Sequence, residues 1–283
     1  MKSFKIKRIH FAFFLILFFV LSILLQIKIE KNPRRKIPGS SIIYLPSGRY
    51  LKFITFGYNS FLADIIYLWA IQYYSDYSIA DRFNYLEHIF SIISELDPRY
   101  LDPYRIGALI AWYEAKQIDL ALKLLDIGIK KNPDQWILPL EAGHYAQIFK
   151  KDYKLARYYF GLTKKIEGAP PIAERLYANA AFKAMDLKTA YQSWLEIYQT
   201  TQNERIKKIA FNHLYQTKAT IDILLIKKAI TQYERIYNRK PMNLDQLKKA
   251  GILNQIPKDL DGKDYLYDFK TGEVKPPTLP WKR

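Results

Sequence analysis

One spacing constrains this chain more than any other feature. Ala121, Ala156 and Ala190 lie 35 and then 34 residues apart, and each is followed four positions later by a large apolar residue: Leu125, Phe160 and Trp194. Upstream, Leu86 stands at the same offset with Phe90 four later, and Pro98 precedes Pro133 by 35 residues. Residues four apart share one face of a helix. The alanine is small where two helices cross closely, and the large residue fills the space that the crossing leaves. Proline, here Pro98 and Pro133, ends a unit because the residue before it avoids the helical region.

A period of this length holds two helices. The first helices are expected at 103–115, 137–149 and 172–184, each followed by a short turn carrying Asp119, Asp152 or Asp186. Over about 60–202 the pattern resembles the tetratricopeptide repeat, a helix–turn–helix unit of the same period. The second helices carry the likeness. In the first helices Gly143 and Ala178 hold the family's small position, while its Trp position is occupied by Arg105, Pro139 and Glu174. The resemblance implies an all-α fold, a right-handed superhelix of stacked helical hairpins with a concave side. Residues 204–238 read as two further helices that cap the array, which would run over 49–238.

The family binds peptides in that groove, so the resemblance also implies a site on the inner helices. It falls on Ile106, Ile110 and Tyr113 in one unit, on Leu140, His144 and Gln147 in the next, and on Arg175, Asn179, Phe182 and Lys183 in the third. Arg175 and Asn179 lie one turn apart, and such donors suit an acidic or C-terminal group. A solvated polar face is the plainer reading of each residue singly. The segment 49–77 is rich in aromatics at helical spacing and is read as the buried first helix of the first unit. Its other reading is an apolar collar near a bilayer, with Tyr67, Trp69, Tyr73 and Tyr74 at the interface.

Residues 9–27 are apolar on every face, with Ser22 the one polar side chain in 11–25. Nineteen helical residues span roughly 28 Å, about one hydrocarbon thickness. A cleaved signal peptide would need a small-x-small site, and the following residues are bulky and charged. A pilin-type leader lacks its Gly and early Glu. Residues 1–28 are therefore expected to be a cytoplasmic tail and an uncleaved transmembrane anchor, followed by a linker over 29–48. Basic residues flank both ends; a short basic tail ahead of a long domain favours a periplasmic domain on a bacterial inner membrane.

The formal net charge is +17, of which residues 1–36 supply +8 from nine Lys/Arg and one Glu, leaving +9 for the rest. No basic stripe interleaved with aromatics marks a nucleic-acid surface. The chain has no cysteine, which excludes disulfides, thiolate metal sites and a thiol nucleophile. The four histidines show no metal spacing, and no phosphate loop or nucleophile elbow occurs. The expectation is a protein without cofactor or catalytic site.

From Arg239 the texture changes. A short helix fits 243–250, stopped at Gly251, and a β-hairpin fits the stretches before and after Lys270–Gly272. The residues Pro257, Asp259, Gly262, Tyr265, Tyr267, Asp268, Thr271, Gly272 and Val274 resemble the C-terminal block of type II secretion pseudopilins. In that family the loop can hold calcium, which would implicate Asp259, Asp261, Asp264 and Asp268. Turn formation is the plainer use of these aspartates. The whole reads as a membrane-anchored scaffold that recruits a protein or peptide partner into an envelope assembly. An enzyme subunit with an unrecognised site and an anionic-lipid-binding anchor are the alternatives.

Overall fold

The computed structural model describes residues 2–30 and 45–278, with side chains in the first stretch described for 14–28. Helix α1 (Lys2–Glu30) is followed by α2 (Gly48–Ile54), α3 (Asn59–Ser75) and a 3₁₀ turn over Arg82–Tyr85. Next come α4 (Leu86–Leu96), α5 (Leu101–Tyr113), α6 (Ile118–Lys131) and α7 (Ile137–His144), which continues as a π-turn over Tyr145–Lys150. Helices α8 (Tyr153–Thr163), α9 (Ile172–Lys183), α10 (Leu187–Thr200), α11 (Glu204–Tyr237) and α12 (Asp245–Lys249) complete the helical part. Strands β1 (Leu266–Asp268) and β2 (Glu273–Lys275) pair antiparallel, with Tyr267 opposite Val274.

Neighbours in sequence pack as hairpins: α5 on α6, α7 on α8 and α9 on α10. Like helices of successive hairpins also meet, α4 with α6 and α5 with α7. The recurring alanines sit where the hairpins close. Ala121, Ala156, Ala190, Leu125 and Phe160 are fully buried, and Trp194 nearly so. Gly143 shows why the partner position must be small: a Cβ there would lie 2.4 Å from Phe160 Cε1. In the preceding hairpin the same role falls to fully buried Ala108, 35 residues before Gly143. Counting from Asp102 misses it by one, because that start lies 34 residues before Trp136 while Ala108 and Gly143 lie 35 apart. Helix α5 ends wide: the Ala115 N–H donates to Ile110 O at 3.0 Å and the Gln117 N–H to Ala111 O at 2.7 Å. The π-turn after α7 inserts a residue at the corresponding place.

The shift moves one expected groove residue. Ile110 is 7% exposed and belongs to the core, while Leu109 faces outward at 43%. A further repeated feature has no sequence signal. Lys116, Lys151 and Met185 all adopt the left-handed conformation (φ 59°, 58° and 61°), each five residues before its alanine. The turn geometry imposes it on whatever residue stands there.

Three further expectations need correction or limits. Residues 204–237 form one helix, not two. No Gly or Pro interrupts them, Asn203 Oδ1 caps the start by accepting from the Arg205 and Ile206 N–H groups, and left-handed Asn238 ends it. Of the two readings of 49–77, Tyr73 and Tyr74 follow the buried one, at 7% and 1% exposed, and not the interfacial one. Among the described residues no helix is long and apolar enough to cross a membrane. The expected span over 9–27 lies partly outside the described side chains, which are exposed along α1 from 14 to 28.

Candidate functional site

The turns after α7 and α9 lie one repeat apart, and stacking brings them together. Between them lies a shallow, open depression of about 460 Å³ lined by Lys150, Lys151, Asp152, Tyr153, Lys154, Lys183, Ala184 and Met185. Four lysines thus face one carboxylate, and that carboxylate is engaged: Asp152 Oδ1 accepts the Leu155 N–H at 2.9 Å and caps α8. Lys150 is offset from outside by Asp119 at 2.6 Å. Lys183 Nζ lies 5.4 Å over the Tyr153 ring, which holds the ammonium at the mouth without neutralising it. The cavity is a cationic hollow walled in part by aromatic and aliphatic carbon. A second cavity, about 510 Å³ between α12 and the β-hairpin, has Asp245 and Asp264 against Lys248 and Lys258 and so has no such bias.

Of the residues expected in the groove, three share one stripe of α9. Arg175, Asn179 and Lys183 follow at four-residue steps, the first two half-buried and Lys183 exposed. The stripe covers roughly 12 Å and ends at the cationic cavity. His144 stands 35 residues before Asn179 and packs edge-on against Phe160 at 5.4 Å. Burial pushes its pKa down, opposed by the Glu141 carboxylate. Gln147 lies in the π-turn, where its buried Oε1 has no hydrogen-bond partner. Tyr113 is set apart from α9. It is 60% exposed, beside Trp112, with Lys116 Nζ 5.0 Å over its ring. Sequence reasoning finds only turn residues in Lys150, Lys151 and Lys154; their signal is the run Lys-Lys-Asp-Tyr-Lys, whose meaning depends on the turn one repeat later.

The tail aspartates serve the fold. Asp259 is buried; its Oδ2 accepts the Tyr215 hydroxyl at 2.9 Å, and its Oδ1 accepts the Asp261 and Lys263 N–H groups at 2.9 and 2.8 Å. Asp268 accepts the Lys270 N–H and the Thr271 hydroxyl, which hold its pKa below the usual carboxylate value. Asp264 faces Lys258 at 3.6 Å. Among the described residues no three His, Cys, Asp or Glu side chains converge as metal ligands. No family model, curated protein or solved structure matches this chain.

Proposed function

We propose that this chain is a membrane-anchored scaffold whose helical hairpins form a tetratricopeptide-like superhelix and recruit an acidic peptide segment of a partner protein. The observation that carries the reading is the cavity with four lysines at the end of the Arg175–Asn179–Lys183 stripe. Guanidinium, amide and ammonium donors in series fit a carboxylate-rich or C-terminal peptide. The apolar segment over 9–27 supplies the anchor in a bacterial inner membrane, with the hairpins on the periplasmic side. The tail's likeness to pseudopilins motivates an envelope assembly of secretion or pilus type as the setting.

A photoreactive residue at Asn179 in native membranes tests this, with exposed Lys130 as the control position. The expected result is one discrete protein captured at Asn179, absent at Lys130, and lost when Lys151 and Lys183 are both changed to Glu. The same diffuse background at both positions would overturn the groove reading.

A further inference from the structure

The α2–α3 hairpin exposes an apolar surface that groove recognition does not use. Phe53, Phe56, Tyr58 and Phe61 at its tip are 84%, 91%, 73% and 65% exposed. Along α3 the outward face continues with Phe61, Ile65 and Leu68, broken by exposed Asp64, while Ala63, Ile66 and Ala70 form the buried stripe opposite. A helix apolar on both faces belongs in a core or against lipid.

The tip is firmly supported. A Cβ on Gly48 would stand 2.6 Å from Glu95 Cβ and 2.8 Å from Ile92 O, so α2 lies directly on α4. The Arg49 N–H donates to Glu95 Oε2 at 2.9 Å. The turn is also held by bonds of its own. The Thr55, Tyr58 and Leu62 N–H groups donate to Leu51, Thr55 and Tyr58 carbonyls at 3.1, 3.0 and 3.2 Å, and the Thr55 hydroxyl donates to Asn59 Oδ1.

We infer that this tip docks in the headgroup–acyl boundary of the bilayer that holds the N-terminal anchor. The inference rests on the anchor half of the proposed function and adds a second, peripheral contact. Lipid is the occupant because residues 53–63 carry no charge, aromatics dominate, and Arg49 and Lys52 stand just behind them, suited to lipid phosphates. The chain length agrees. Only 17 residues, 31–47, separate α1 from α2, and they reach no more than about 60 Å when fully extended. An interfacial element of this kind sinks about 5–10 Å.

The absence of cysteine makes Phe56→Cys a single labelling position. Full-length protein carrying an environment-sensitive fluorophore there is reconstituted in phosphatidylcholine–phosphatidylglycerol vesicles, with and without a doxyl-quencher lipid, and Lys130→Cys is the control. The expected result is blue-shifted, lipid-quenched emission at position 56 and neither at 130. Adding Phe53→Ser and Phe61→Ser, with helical circular dichroism unchanged, should lower the docked fraction at least about tenfold. A water-like, unquenched label at 56 in vesicles that retain the protein through carbonate flotation overturns tip docking and leaves the scaffold reading intact. Shielding that depends on protein concentration without lipid quenching overturns it in favour of a second copy. Loss of the protein on flotation overturns the anchor and the docking together.

Discussion

The two ends of α11 pack against different kinds of core. Toward its start, Ala210 and Leu214 join Ala178, Trp194 and Ile197 in an apolar cluster that continues the small-against-large fit of the hairpins. Toward its end, Ile226, Ala229 and Tyr233 meet Leu247, Tyr265 and Val274 of the tail. This second contact is pinned by directed bonds. The Tyr215 hydroxyl donates to Asp259 at 2.9 Å and the Tyr265 hydroxyl to Asp222 at 2.7 Å, while Lys218 of the same helix holds Asp222 at 2.6 Å. The difference teaches how each region is specified. Hairpins that stack in series are aligned by matched volumes repeated at fixed intervals, with bonds such as Asn132 Nδ2 to Pro98 O at 2.8 Å added at the seams. A tail that folds back once has no repeat to align it, and buried hydrogen bonds supply the register, since a misplaced partner leaves a buried group unpaired.

The largest expected effect breaks the volume-matched side. Phe160→Ala empties the space beside Gly143 and should cost about 3–5 kcal/mol, read as a lower urea midpoint. Gly143→Ala attacks the same contact from the other side and should cost about 1–3 kcal/mol by overpacking, with helical content retained at low denaturant. On the polar side, Asp259→Ala unpairs the Tyr215 hydroxyl and two backbone N–H groups, for about 1–3 kcal/mol. Hydrogen exchange should then rise over 259–275 and stay unchanged in α5–α8. Equal loosening of both regions would show that the two cores unfold as one.

A pH test sharpens the comparison at the junction. His213 stacks on Trp194 at 4.0 Å, and burial pushes its pKa down from 6.5 to about 4. Between those values the unfolded chain binds a proton that the folded chain refuses. The stabilising contribution is therefore complete above pH 6.5 and declines as pH falls toward 4. The difference in urea midpoint between parent and His213→Phe should change over that window, and a constant difference would refute the assignment. The smallest effect is expected at Arg99, whose two bonds to Asp134 at 2.7 Å link neighbouring hairpins on the exposed surface. Arg99→Ala should leave the urea midpoint nearly unchanged, and any difference should shrink at high salt.

Residues 86–200 were the most legible part of the chain. Alanine, its partner at four and the closing proline all act through local helix geometry, so they can be counted along the sequence. The hairpin of Leu266–Asp268 with Glu273–Lys275 was legible for the same reason, because turn residues separate two short alternating runs. The count failed by one at Ala108 and Leu109, because no residue in α5 marks where its unit begins and the expected start lies 34, not 35, residues before Trp136. The break expected in 204–238 did not occur: the segment was read as a further helix pair capping the array, while the absence of Gly and Pro allowed one helix.

The candidate site divides in the same way. Arg175, Asn179 and Lys183 follow helical spacing, and that spacing alone puts them on one face. That Lys183 opens onto Lys150, Lys151 and Lys154 was decided by the stacking of α8 on α9, which brings together turns about 30 residues apart in sequence. The exposure of Phe53, Phe56 and Phe61 was likewise a tertiary outcome. Aromatic composition marks a segment as apolar, but only the packing of α2 and α3 on α4 determines which rings are covered. The sequence by itself determined where helices start, stop and turn their apolar faces, because those depend on neighbours within a turn or two. The tertiary structure decided which charges share a cavity and which rings are left bare, because both depend on contacts between units that no local spacing encodes.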